Sequence, residues 1–162
     1  MPKILLETYI EAPIERVFDL SMSIDLHKLS TKGTNEEAIA GKTSGLIGLH
    51  ETVTWHAKHF GIYQKLTVQI TKVDRPDVFE DRMLKGTFAS MHHVHSFEKE
   101  GSGTKMKDVF EFESPLGFLG KFANSLFLKK YMTKLLRGRN AELKRIAEGE
   151  EWRELEGMAV SL

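Results

Sequence analysis

Apolar and polar residues alternate with period two along most of the first 113 positions, and the C-terminal stretch changes to a helical period. There Leu128, Tyr131, Met132, Leu135, Leu136, Leu143 and Ile146 fall on one stripe, with Lys129, Lys130, Lys134, Arg137, Glu142 and Lys144 mostly off it. Phe118, Leu119, Phe122, Ala123 and Leu126 point about a third of a turn away from that stripe. The spacing therefore predicts a long helix over residues 115–150 with a kink, or two helices meeting, near Asn124-Ser125. Pro115 suits its first turn, where a missing N–H has no partner to lose. A one-sided helix of this length must bury its stripe, and the residues before it supply the surface.

Residues 3–11 predict a first strand with Ile4, Leu6, Thr8 and Ile10 on one face, ended by Ala12-Pro13. Residues 14–24 predict a short helix burying Val17, Phe18 and Leu20, and Asp25 is placed to cap a second over residues 26–29. Residues 36–40 are a further candidate strand, and 41–48 a glycine-spaced turn region. In residues 50–60, Glu51, Val53, Trp55, Ala57 and His59 share the bulkier face. A two-residue turn at Phe60-Gly61 then sets His59 opposite Ile62, and Ile62, Leu66, Val68 and Ile70 point inward. Residues 74–77 form a turn by composition. Residues 78–85 place Phe79, Asp81 and Met83 on one face, and residues 104–113 send Met106, Asp108, Phe110 and Phe112 inward.

Residues 87–98 are the difficult strand. A tight turn at Lys85-Gly86 pairs Met83 with Phe88 and sends the even positions inward. A short loop through Gly101 pairs Phe97 with Thr104 and sends Met91, His93, His95 and Phe97 inward instead. A bulge between Phe88 and Met91 reconciles the two. The order strand, two short helices, five or six strands, long helix predicts an α+β fold: a curved antiparallel sheet wrapped around the C-terminal helix.

Composition narrows the function. Twenty-three basic and 23 acidic residues leave no net charge, so there is no electrostatic footprint for nucleic acid or an acidic membrane surface. The Lys/Arg face of the long helix reads as a solvated one. No run approaches the roughly 20 apolar residues of a membrane span, and no secretory signal is visible at the start. The absence of cysteine excludes disulfides and thiolate chemistry. A cytoplasmic protein fits these features, with one domain over residues 1–162. Residues 149–162 extend the helix, dock on a neighbouring subunit or form a flexible tail, and an oligomer stays open.

On these faces Glu51, His59, Asp81, His93, His95 and Asp108 all look toward the concave side of the sheet. Ionisable groups in such a place must pair, shift or stay wet. His93 and His95 at i, i+2, with Asp108 expected opposite His93, admit four readings. A structural His–Asp network comes first, because buried polar groups are usually paired. Anchors for a ligand's head group, an acid–base pair of His93 and Asp108, and a metal site of His93 and His95 with a carboxylate from Asp108, Asp81 or Glu51, Asp108 foremost, are the others. Trp55, Met83, Met91, Phe110, Leu128 and Met132 either fill the core or line an adaptable pocket.

The order of elements resembles the helix-grip fold of the START, polyketide cyclase/dehydrase and Bet v 1-like proteins, the SRPBCC superfamily. Residues 10–20, IEAPIERVFDL, are similar to that group's recurrent opening. Phe79-x-Asp81-x-Met83-x-x-Gly86-x-Phe88 and His93-x-His95-x-Phe97 resemble a bacterial branch described only as ligand-binding, and so do Thr104-x-Met106-x-Asp108 and Pro115-Leu116-Gly117. Where its members commonly carry Gln and Trp, this chain has Met83 and Met91. The resemblance implies a cavity between sheet and helix that holds a small hydrophobic or lipid-like molecule. It implies no single reaction and no cofactor. A cyclase, dehydrase or isomerase, or a lipid- or protein-binding partner module, are the alternatives.

Overall fold

The structure, a computed structural model, describes residues 2–114, 124–155 and 157–158. Seven strands form one antiparallel sheet in the order β1-β7-β6-β5-β4-β3-β2. They are β1 (Lys3–Ile10), β2 (Glu37–Gly41), β3 (Thr52–His59), β4 (Ile62–Asp74), β5 (Val78–Lys85), β6 (Ser90–Glu100) and β7 (Gly103–Glu113). Helices α1 (Ile14–Ser21) and α2 (Ile24–Ser30) follow β1, and the long helix α3 spans Lys129–Glu148. A single π-helical turn, Asn124–Leu128, leads into α3 where the apolar stripe changes phase. The expected helix start at Pro115 and the stripe residues Phe118, Leu119, Phe122 and Ala123 lie outside the described residues. Among the described residues no helix is long and apolar enough to cross a membrane.

The core sits between the concave face of the sheet and the three helices. In α1, Phe18 packs edge-on against Phe79 (5.6 Å) and Phe97 (5.3 Å), joining the helix to β5 and β6. Ser23, rather than Asp25, caps α2: its hydroxyl accepts from the Leu26 N–H at 3.1 Å. Asp25 instead accepts from the Gly45 N–H at 2.8 Å and ties the loop before β3 to the helix. Helix α3 buries Leu136, Leu143, Ile146 and Ala147. Beyond it the chain returns to its own core, where Trp152 and Met158 are buried and the Arg16 guanidinium lies 4.1 Å above the Trp152 ring.

Three strand expectations need correction. The β3–β4 turn is as expected, with Phe60 and Gly61 both at positive φ and His59 opposite Ile62. Yet Ile62 is 65% exposed, because this hairpin tip runs past the edge of the core. Between β5 and β6 there is no tight turn at Lys85-Gly86 and no bulge in the following strand. A four-residue bend over 86–89 absorbs the phase change. Phe88 leaves the ladder there and packs 5.2 Å from Phe112. At Gly86 a Cβ would lie 2.6 Å from Leu66 Cδ1 and 3.1 Å from Met83 Sδ, so a side chain there would have to push both side-chain ends aside. Finally, the β6–β7 turn is the two residues Gly101-Ser102. Phe97 therefore faces Met106, and Asp108 faces His95 rather than His93. The slip is two residues, which preserves the inward face.

Leu143 is buried where the C-terminal half of α3 packs on the core, so Leu143→Ala is expected to lower stability by about 2–5 kcal/mol in urea unfolding. Ile62→Ala on the exposed hairpin tip should stay within about 0.5 kcal/mol of the parent.

Candidate functional site

Burial along α3 is uneven, and the unevenness makes a hollow. Leu143, Ile146 and Ala147 near its C-terminal end are fully buried, whereas Leu128, Tyr131, Met132 and Leu135 near the start are only half-buried. Between that first half of α3 and the sheet lies a cavity of about 340 Å³. Trp55, Ala57, Val68, Ile70, Phe79, Met91 and Phe110 line it from the strands, and Leu128, Met132 and Leu136 from the helix side. At one end Phe60 of the β3–β4 turn meets Tyr131 at 4.4 Å and the exposed Phe127 at 5.5 Å.

One wall is polar. Asp81 on β5 stands opposite His93 on β6, with His95 two residues along the same face. The two imidazoles lie 3.7 Å apart, and His95 stacks on Phe79 at 4.1 Å. Asp81, His93 and His95 reach the cavity, whereas Asp108 is buried behind the histidines. His93 Nε2 donates to Asp108 Oδ1 at 2.9 Å, and Asn140 Nδ2 on α3 donates to Asp108 Oδ2 at 2.6 Å. His95 bonds Asp81 Oδ2 through Nε2 at 3.0 Å. Its Nδ1 is 3.2 Å from Asp108 Oδ1 but misaligned, so this buried nitrogen makes no good hydrogen bond.

The charges follow from these contacts. Burial, helped by the adjacent His95, pushes His93 down to about 4, so it is a neutral imidazole near pH 7. Burial alone would also lower His95, but the flanking Asp108 and Asp81 carboxylates outweigh it and raise the group. Burial would raise Asp108, yet the bonds and charges of His93 and His95 hold it well below the usual carboxylate range. Asp81 is lowered in the same way, chiefly through His95 against the effect of burial.

A second polar set lies near Trp55. His27 stacks on that indole at 4.0 Å and bonds Glu36 at 3.1 Å, while His59 Nδ1 lies 2.8 Å from the Tyr131 hydroxyl. Burial opposes ionisation of Glu36, but His27 keeps its carboxyl below the ordinary value. Arg139 of α3 also lines the cavity and has no ion pair among the described residues.

Of the residues singled out in the sequence, Trp55, His59, Asp81, Met91, His93, His95, Phe110, Leu128 and Met132 line the cavity. Three do not. Glu51 precedes β3, is exposed and accepts from the Gly48 N–H at 2.6 Å. Met83 is half-buried against the core beside Gly86. Asp108 supports the wall from behind. The sequence reading missed Asn140, Glu36, His27 and Arg139. Arg139 and Asn140 carried a signal: Arg139 is a charged residue at the centre of the apolar stripe, between Leu135 and Leu143, and Asn140 is a polar one at its edge.

No protein-family model matches the chain, and no curated protein does. Solved structures do match. The protein TTHA0849 from Thermus thermophilus has a TM-score of 0.69 at 22% identity, over 88% of this chain and 97% of that one. A START superfamily protein from Mycobacterium smegmatis has a TM-score of 0.69 at 12% identity, over 90% and 97%. The chain has the START-like helix-grip fold. A major latex-like protein from Panax ginseng extends the same likeness to a plant protein, with a TM-score of 0.67 at 13% identity over 91% and 98%. At these identities the START-like likeness speaks for the fold, and the site has to be argued from its own side chains.

Within this fold His93 is held below its unperturbed value of 6.5, so the unfolded chain binds more protons between pH 6.5 and about 4. The stability this burial confers is present above pH 6.5 and is lost as the pH falls through that window; His95, raised, acts in the opposite sense. His93→Gln keeps a donor for Asp108 and removes the titration. Unfolding free energies from urea denaturation between pH 7 and 4 should decline less steeply in the variant, by on the order of 1–3 kcal/mol over the window. An unchanged slope would show that His93 is not the group responsible.

Proposed function

We propose that this chain binds a small, largely apolar molecule in the cavity between the sheet and α3, with the molecule's polar end at Asp81, His93 and His95. One observation carries the reading: a hollow of about 340 Å³ is walled by Trp55, Ile70, Phe79 and Met132 and has one localised polar wall. That combination, an apolar cavity with a few convergent polar groups, is the usual form of a small-molecule site. A packed core would have no reason to leave the first half of α3 half-buried. The resemblance in residues 79–97 points to the same class of role.

An acid–base enzyme is the second reading, favoured by the Asp108–His93 hydrogen bond, which fixes the imidazole as a catalytic pair would. With His93 down at about 4, however, its ring is a weak base near neutral pH. The apolar lining of the cavity, with a weakly basic ring at its wall, supports binding better than turnover.

Native mass spectrometry of freshly purified protein is expected to show a co-purified organic molecule, or the apo protein is expected to take up an apolar environment-sensitive dye saturably. Met132→Trp fills the space beneath α3 and should weaken dye binding at least tenfold with the fold intact by circular dichroism. A clean apo mass together with equal dye binding by parent and variant would sink the proposal.

A further inference from the structure

We propose that Asp81, His93 and His95 form a binding site for one divalent first-row transition-metal ion, at the polar wall of the cavity. The inference does not depend on what occupies the apolar part.

Four observations carry it. First, one potential ligand atom from each of the three residues lies within 4.8 Å of the others. Adjacent strands place them: Asp81 and His93 are directly paired, and His95 follows on the same face.

Second, the arrangement behind them orients the rings. Asp108 Oδ1 is 2.9 Å from His93 Nε2 and 3.2 Å from His95 Nδ1, so each imidazole turns its other nitrogen away from Asp108. For His95 that nitrogen is Nε2, already 3.0 Å from Asp81 Oδ2. For His93 it is Nδ1, which makes no hydrogen bond among the described residues. A buried carboxylate behind a metal-binding imidazole sets its tautomer and raises its basicity. Asp108 holds the His93 ring by a hydrogen bond and lies 3.2 Å from His95 Nδ1 without one, and Asn140 steadies its other oxygen at 2.6 Å.

Third, the charge balance favours a dication. Asp81 and Asp108 are two carboxylates on this wall, and neither is paired with a lysine or arginine among the described residues. Their cationic partner here is His95, whose proton the two carboxylates favour. A divalent ion displaces that proton, neutralises both carboxylates and exchanges the Asp81–His95 hydrogen bond for metal–ligand bonds.

Fourth, all three residues border the cavity. Three protein ligands with the remaining position facing open space is the pattern of a site able to bind an exogenous ligand atom. Two nitrogens and one oxygen suit zinc, cobalt, nickel or iron(II), and not magnesium or calcium.

The test is titration of the chelator-treated full chain with Zn²⁺ by calorimetry and with Co²⁺ by visible absorption. One equivalent of each is expected to bind, with the d–d bands of a low-coordinate nitrogen–oxygen site for Co²⁺. Asp81→Asn and His95→Gln should each weaken binding at least tenfold. His92→Gln, which removes an imidazole paired with Glu80 on the other face of β6, should leave it unchanged. Absence of saturable binding to the parent protein overturns the proposal, as does one-equivalent binding that survives both Asp81→Asn and His95→Gln. The parent titration decides the matter even if a variant fails to fold.

Discussion

A single buried carboxylate joins the layers of this protein. Asp108 on β7 receives His93 from β6 and Asn140 from α3, and Asn140 also reaches the Thr8 hydroxyl on β1 at 3.4 Å. An ionised carboxylate in such a place is tolerable only if its oxygens are hydrogen-bonded. Meeting that requirement fixes the angle of the His93 imidazole and ties the helix to the sheet at Asn140. Position 140 lies just N-terminal to the tightly packed Leu143, Ile146 and Ala147. The carboxylate thus marks where the helix changes from gripped to lifted.

The hollow follows from that change. A curved sheet and a straight helix cannot stay in contact along their whole length, and large side chains must bridge the gap or leave it open. Here Phe18, Phe97 and Trp152 fill the end beneath α1 and the end of α3. At the other end Trp55, Met91 and Met132 reach inward without closing the space. Polar groups survive at its edge because neighbouring side chains satisfy them, and because the carboxylates and imidazoles set one another's protonation.

The periodicity of the chain revealed the elements well, and side-chain facing better than pairing. Asp81, His93, His95 and Asp108 all lie on the concave side as their alternation predicts, even though Asp108 faces His95 instead of His93. An error of two residues in register leaves the face unchanged, so it is invisible in a hydrophobic pattern. Glu51 and Ile62 show the opposite failure: each has the right parity, but Glu51 lies just before β3 begins and Ile62 stands where β4 runs beyond what covers it. Parity states a direction and says nothing about whether anything lies in that direction.

Local period and residue type were enough to specify the sheet-and-helix architecture, the capacity of α3 to bury one stripe, and a His–Asp set on the inner face. Three-dimensional packing was needed to put Asp108 behind the imidazoles and Asp81 before them. Packing also made Asn140 the helix's contribution and left the space under Met132 open. These outcomes depend on strand curvature, on loop lengths such as the bend at 86–89, and on contacts between residues as far apart as Thr8 and Asn140, which no local pattern records.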